Sequence, residues 1–399
     1  MNLYHIEPID PLIFRDGRPF RAVPGDIAQS MFPPPPSAIA GAARSSIWTT
    51  DPRPTRADHH EWAAELRGKP VHGPLLYDAA QAHLVVPKPA DALAVEREHP
   101  DASDRVLAMR PLELGTSRVA LETWNPVGSP ELTLSKPLKT APLWRWPLFE
   151  SWLTDHTHAR PLDAEGTLPA PPTDRRVHVS IDSTSQTAAE GRLFGTEART
   201  WAYPGNPDAG TSSATLVKLG MLVRTPIEVP EGPAPLGGER RLARWSAAST
   251  GDTPGLPGIP DAVVQSARGG AVRVILLTPA WFRAGSVPST PPFGTPEGSR
   301  VIGAVHERPL VLSGWDLARR EPKPTRRFVP AGAVFFIALG GTPDEREAWL
   351  RSAWLHPVSD PSDEHDPTWR PNDDGFGLAA MGVWDGTLSP LTHQPTERA

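Results

Sequence analysis

The sequence contains no cysteine. That excludes disulfides, thiolate metal sites and a cysteine nucleophile, and it suits a cytoplasmic setting. No apolar run approaches the roughly 20 residues that a membrane-spanning helix needs, and the first residues carry no signal-peptide core. There is also no excess of positive charge. Forty lysines and arginines face 46 acidic residues, leaving a net charge of −6. A free-standing nucleic-acid binder is usually basic. Any RNA contact must therefore come from local arginine clusters or be shared with partner subunits.

Proline, by contrast, is abundant: 50 of 399 residues, against an average near 5%. This density implies long ordered loops and extended connections rather than a helical protein. A hydrophobic content of 39% supports real cores and argues against global disorder. The length allows two domains.

The first fifty residues are the most informative. Residues 3–6 suit an N-terminal strand, and Asp16-Gly17-Arg18-Pro19 is turn chemistry. Pro33 to Pro36 must be extended. Ser37 then reads as the N-cap of a short alanine-rich helix ending near Trp48. At about 100° per residue, Ile39, Ala43 and Ile47 face a core, while Ser37, Gly41 and Arg44 fall on the opposite side. Free N–H groups, a hydroxyl, a missing side chain and a nearby cation make a phosphate site. An ordinary capped surface helix with a tolerated glycine fits the same residues.

Residues 50–172 show no clear period and read as an irregular insertion with a few short helices, such as 58–67. Trp124, Trp144, Trp146 and Trp152 are expected to fill small cores or an interface. His59, His60, His156 and His158 lack a third ligand at a recognisable spacing and read as surface histidines. From residue 174 a strand alternates, with Arg176, His178 and Ser180 on one face and Val177, Val179 and Ile181 on a buried one. Arg175 precedes them, and a polar stretch at 183–189 then turns the chain back as a hairpin. Residues 216–223 read as a compact apolar strand. Gly237 and Gly238 precede Arg240, Arg241 and a basic strand, a loop whose N–H groups can cradle phosphate.

Residues 251–260, dense in glycine and proline, mark the best domain boundary. Beyond it lie apolar strands at 272–278 and 333–339. Between these, Gly314-Trp315-Asp316 introduces a basic patch of Arg319, Arg320, Lys323, Arg326 and Arg327, read either as a solvated face or as an RNA contact. Thr342, Pro343 and Glu345 announce a helix with a capping box. The last strand carries Gly375 and Gly377; this is not a dinucleotide-binding turn, because a strand follows.

Taken together, the FRDGRPF turn, the proline run into a small-residue helix, the arginine-bearing strand ending in Ile181-Asp182, the glycine-rich basic loop, and the GWD, KP and VPAG pieces resemble the RAMP-superfamily subunit of type III-B (Cmr) CRISPR effector complexes that holds the 5′ end of the guide RNA. The resemblance covers most of the chain outside about residues 50–170. It implies an α+β fold of two ferredoxin-like (RRM-like) RAMP domains. The first would span 1–255, with an insertion at about 50–172 and a thumb hairpin at about 174–199 that inserts into guide RNA. The second would span 256–399.

The function it implies is a non-catalytic subunit without cofactor or metal. Such a subunit grips the 5′ handle of the guide RNA (crRNA) and bridges the large polymerase/cyclase-like subunit to the backbone RAMP subunits. The expected RNA contacts are Arg15, Arg18, Ser37, Gly41 and Arg44; Arg175, Arg176 and His178; Gly237, Gly238, Arg240 and Arg241; Lys323, Arg326 and Arg327; and Gly375 and Gly377. The sequence leaves two alternatives open. One is a RAMP endoribonuclease that processes precursor guide RNA with His5 or His178 as general base. The other is a metal hydrolase built on Asp363, Glu364, His365 and Asp366, a run that also reads as a solvated loop.

Overall fold

The computed structural model describes residues 1–17, 26–47, 65–96, 104–113, 124–129, 136–156, 160–161, 163, 165–205, 216–248, 255–316, 321–362, 366 and 368–390. The fold is α+β and rich in strands. Among these residues no helix is long and apolar enough to cross a membrane.

Strand β1 (Asn2–Pro8) is central to a large antiparallel sheet. Farther along the chain lie β2 (His72–Asp78), β3 (His83–Pro87) and β4 (Leu143–Arg145). A hairpin of β5 (Thr173–Ile181) and β6 (Ala188–Arg199) follows, then β7 (Leu216–Thr225) and β8 (Leu242–Ala247). In the sheet β1 lies between β7, with His5 opposite Leu222, and β8, with Ile6 opposite Trp245. From β7 the sheet continues through β2, β3 and β4.

Helix α1 (Pro36–Ser46) covers one face. Proline at its first position has no N–H to leave unpaired, and the alanines that follow are strong helix formers. Ile39, Ala40 and Ala43 are fully buried in a cluster with Ile6, Met221 and Trp245. Ser37 is not the cap. Pro35 stands at that position with no side-chain cap bond, because the proline run already fixes the chain's approach.

The remaining elements are helix α2 (Trp146–Thr154), helix α3 (Asp261–Gly269), strands β9 (Ala271–Leu276), β10 (Arg300–Val305) and β11 (Val334–Ala338), helix α4 (Pro343–Ala353) and strand β12 (Ala379–Val383). The four strands form a second antiparallel sheet in the order β10-β11-β9-β12. Helix α4 carries the expected capping box. Glu345 N donates to Thr342 Oγ1 at 3.3 Å, and Thr342 N donates to Glu345 Oε2 at 2.7 Å.

The reading of residues 50–172 as an irregular insertion does not hold. Among the described residues the stretch supplies β2, β3, β4 and α2, and further strands at Ala92–Val95, Arg105–Ala108 and Arg110–Glu113. Strand β2 sits inside the main sheet and is buried on both faces, so it has no polar face to mark a period. Trp144, Trp146 and Trp152 are core residues, as expected. One apolar cluster runs from Leu75 and Leu222 in the first sheet, through Phe149 and Trp152 of α2, to Val272 and Phe336 in the second.

A buried polar hub crosses the same core. Asp91 and Arg273 have no exposed side-chain surface and meet at 2.5 Å. Trp152 Nε1 donates to Asp91 at 2.9 Å, and His156 Nε2 lies 3.0 Å from it. Arg273 also donates to the carbonyls of Val383 and Trp152, at 2.9 and 2.6 Å. Burial alone would raise the Asp91 pKa. The charge of Arg273, with His156, instead holds it well below the usual carboxylate range. Burial, with Arg273, lowers His156 to about 4, against the opposing pull of Asp91.

Candidate nucleic-acid interface

The segment between β1 and the proline run is a junction. Leu12, Ile13 and Phe14 are buried, and their backbone ties three elements together. Leu12 N donates to Arg199 O at 3.0 Å and Arg199 N to Leu12 O at 2.8 Å, which anchors the base of the β5–β6 hairpin. Gly238 N donates to Ile13 O at 2.7 Å, which seats the glycine-rich loop. Met31 N donates to Phe14 O at 2.7 Å, which brings in the strand Ile27–Ala28 that runs parallel to β6. Gly17 lies against Ser313: a Cβ at Gly17 would stand 3.3 Å from that side chain, so the strand pair Leu310–Leu312 and Arg326–Phe328, which ends beside Ser313, borders the same junction.

The glycine pair is fitted to this junction. Gly237 has φ +77°, and a Cβ there would stand 2.4 Å from Ile13 O, so only glycine fits. The Gly238 N–H is already bonded, which corrects its assignment as a phosphate cradle. Beside the pair, Arg241 is held by Glu239 at 3.1 Å. Arg240 is exposed and has no carboxylate partner among the described residues.

The β5–β6 hairpin closes on a tight turn, where Asp182 Oδ1 accepts from the N–H groups of Thr184 and Ser185 at 2.9 Å each. Arg175 pairs with Glu197, and Arg176 with Asp174, both at 2.8 Å. His178 Nε2 lies 2.8 Å from Thr196 Oγ1, and its ring stacks on Phe194. The opposite face overturns an expectation. Val177, Val179, Ile181 and Leu193 are 68, 45, 58 and 51% exposed rather than buried. Alternation shows that a strand has two unlike faces; it does not show that anything lies against the apolar one.

Other expected contacts lie elsewhere. Arg44 is buried and pairs with Asp374, and its Nη2 donates to Lys69 O and Asp373 O at 3.0 and 2.8 Å. It clamps α1 to the C-terminal half, and its charge is already matched by Asp374. Gly41 is exposed, and a Cβ there would meet nothing within 4 Å, so no close approach explains it. Gly375 and Gly377 are buried. A Cβ on them would stand 2.4 Å from Gly73 O and 2.5 Å from Ser359 Oγ, respectively, so they are packing positions rather than an RNA loop.

In the C-terminal patch, Arg326 pairs with Asp366 at 2.9 Å and lies over the Trp369 ring at 4.1 Å. Arg327 is exposed with no carboxylate partner among the described residues, and half-buried Lys323 lines a cleft with Ser37, Ser313 and Phe328. Arg15 is exposed and its backbone bridges to Ser30. Arg192 of β6, not singled out by its sequence, is exposed in the same way as Arg240. Arg18, Arg319 and Arg320 lie outside the described residues.

Of the residues named for the catalytic alternatives, the structure describes His5, His178 and Asp366. His5 is 8% exposed; Tyr77 Oη is 3.5 Å from its Nδ1, its Nε2 is sealed from solvent, and burial lowers its pKa. His59, His60, His158 and the run Asp363-Glu364-His365 lie outside the described residues, and Asp366 is engaged with Arg326.

The family model of CRISPR-associated protein (Cas_Cmr3) matches residues 4–384. No curated protein sequence matches. Among solved structures the chain is similar to one in the type III-B Cmr-beta complex bound to cognate target RNA, with 12% identity, 84% of this chain and 86% of that chain covered, and a TM-score of 0.43. It is also similar to a chain of the Csm3–Csm4 subcomplex of a type III-A interference complex, with 10% identity, 85% and 94% covered, and a TM-score of 0.29.

Proposed function

The chain belongs to the Cas_Cmr3 family of CRISPR-associated proteins, and from that premise we propose that it is a non-catalytic RNA-binding subunit of a type III-B (Cmr) ribonucleoprotein. In this reading it grips the 5′ handle of the guide RNA and joins the large polymerase/cyclase-like subunit to the backbone subunits. The observation that carries the reading is the junction at Leu12–Phe14, where the hairpin base, the glycine-rich loop and the N-terminal turn meet. An acidic protein needs such local convergence to hold a polyanion. Arg240, Arg192 and Arg327 are the cations best placed to give their charge to phosphates, since no carboxylate holds them among the described residues. Arg15 and Arg176 supplement them.

The division into two ferredoxin-like domains, 1–255 and 256–399, belongs to the same proposal. Strand order supports it. Four strands of the first sheet run β8-β1-β7-β2, and the second sheet runs β12-β9-β11-β10. Each is fourth, first, third, second in chain order, the arrangement of a split βαβ unit repeated. The first unit has its helix, α1, after the first strand; the second has its helix, α4, after the third.

A salt titration of single-stranded guide RNA tests the function. With four or five cations engaged, the log–log slope should be about −3, and Arg240→Ala should make it shallower by about 0.7. An unchanged slope would remove the junction from the RNA path. Clean cleavage of repeat-containing RNA by the isolated protein would overturn the non-catalytic reading.

A further inference from the structure

Trp315 has no role in the packing just described, and its surroundings point to one outside it. It lies on a two-stranded ribbon, Trp315–Asp316 against Glu321–Pro322, with Trp315 opposite Pro322. Successive side chains of a strand point to opposite faces. Asp316 faces the protein, 3.6 Å from Arg67, and is 14% exposed at its side chain. Trp315 therefore faces away from it, 58% exposed, and is the sole aromatic among the large exposed apolar side chains of the described residues.

The strands around this ring offer a free cation. Lys323 N donates to Gly314 O at 2.8 Å, but the lysine follows Pro322, the residue opposite Trp315, so its side chain falls with Asp316 on the cleft side. Arg327, on the adjoining strand Arg326–Phe328, is exposed without a carboxylate partner among the described residues. Ser313, two residues before Trp315, touches Gly17 of the N-terminal turn that carries Arg15. Trp369, which lines the cleft on the Asp316 side, shows the contrast: its ring is already covered by the Arg326 guanidinium at 4.1 Å. The aliphatic strip on the hairpin cannot stack on a flat π surface; Trp315 can.

We propose that Trp315 is a stacking platform for one base of single-stranded RNA, with Arg327 taking a flanking phosphate. The inference rests on the RNA-binding function above. Because every base has a π face, the contact tolerates any sequence and fixes where the strand lies rather than which strand binds.

The experiment compares wild type, Trp315→Ala and Trp315→Phe for binding to a labelled single-stranded guide RNA, and to copies of that RNA with one abasic site stepped along the 5′ segment. Trp315→Ala should weaken binding about tenfold, within the range for loss of one base stack, with the salt slope unchanged. Trp315→Phe should keep most of the affinity. One abasic position should bring wild type down to the affinity of Trp315→Ala, and that variant should lose nothing more there. Thermal unfolding of both variants should match wild type, because the ring is exposed. If wild type binds RNA and Trp315→Ala binds equally well, the platform is overturned while the RNA-binding function stands. If Trp315→Ala keeps RNA affinity but no longer joins the reconstituted complex, the ring belongs to a protein partner and the platform is again overturned. Failure of wild type to bind RNA at all would overturn both.

Discussion

Arg273 beside Asp91 and Arg176 beside Asp174 are both arginine–aspartate pairs, but the first has no exposed side-chain surface and the second leaves 48% of the arginine exposed. Arg273 also gives hydrogen bonds to two carbonyls and lies near the Trp152 ring, so every part of the guanidinium is used. Arg176 uses only Nε and Nη2, both on one carboxylate oxygen. In the low-dielectric core the desolvation cost of two ions is met only by such complete bonding, and removing one partner strands the other. At the surface water replaces whatever is lost. The hub holds the two halves of the molecule together; the hairpin pair is free to exchange its carboxylate for another anion.

The largest effect that could break this comparison is at the hub. Arg273→Ala should destabilise the fold by about 3–5 kcal/mol, since Asp91 would be left charged and buried. Chemical denaturation measures this. A cost near that of a surface pair would show that the hub is hydrated and that the halves are held by apolar contact alone.

The second test sharpens it through pH. His156 titrates at about 4 in the folded chain, against 6.5 for a free histidine. Above pH 6.5 both states are neutral. As pH falls from 6.5 to 4, the unfolded state takes up a proton that the folded state refuses, so stability is lost; below 4 it levels. Between pH 7 and pH 5 this amounts to about 2 kcal/mol. His72, lowered to about 4 by burial, Arg224 and His356, adds a loss of the same sign. The difference in pH slope between wild type and His156→Gln therefore isolates the hub. Equal slopes would place the charged form of His156 in the folded state.

Between the two extremes lies Thr342, exposed but bonded at a helix end. Thr342→Ala should cost about 1 kcal/mol in thermal or chemical unfolding. No loss would mean that the helix starts elsewhere. This element was fully legible in sequence, because a capping box is a local pattern of four residues. The alternation of β5 was legible too, and so was the α1 face of Ile39 and Ala43. What failed was anything that depends on distant residues. Arg44 looked free because Asp374 is 330 positions away, and the hub was invisible because Asp91 and Arg273 are 182 apart. Gly237 and Gly375 were rightly singled out as unusual, but the reason is a backbone oxygen from another part of the chain, not a ligand. Strands β2 to β4 were missed because they are short and almost wholly buried, so hydrophobic periodicity has nothing to report. Within the segments named as a candidate site, the arginines that carry free charge could not be separated from those already paired.

The smallest expected effect on folding is at Arg176. Arg176→Ala should change stability by less than about 0.5 kcal/mol, because both members of its pair are in contact with water and lie on one strand. Its effect on RNA should be larger than its effect on folding. Removing the cation leaves Asp174 unneutralised on the face that holds His178, so a nearby phosphate meets a net repulsion. The salt slope should nevertheless change less than for Arg240→Ala. Arg176 begins with its charge already matched by a carboxylate and exchanges one anion for another, whereas Arg240 releases no such partner and contributes a full contact. Equal slope changes in the two variants would show that the Arg176–Asp174 pair is open in the RNA-bound protein. A stability loss above about 1.5 kcal/mol, as a core contact gives, would show that the hairpin is coupled to the hub, and the two pairs would no longer stand for separate kinds of interaction.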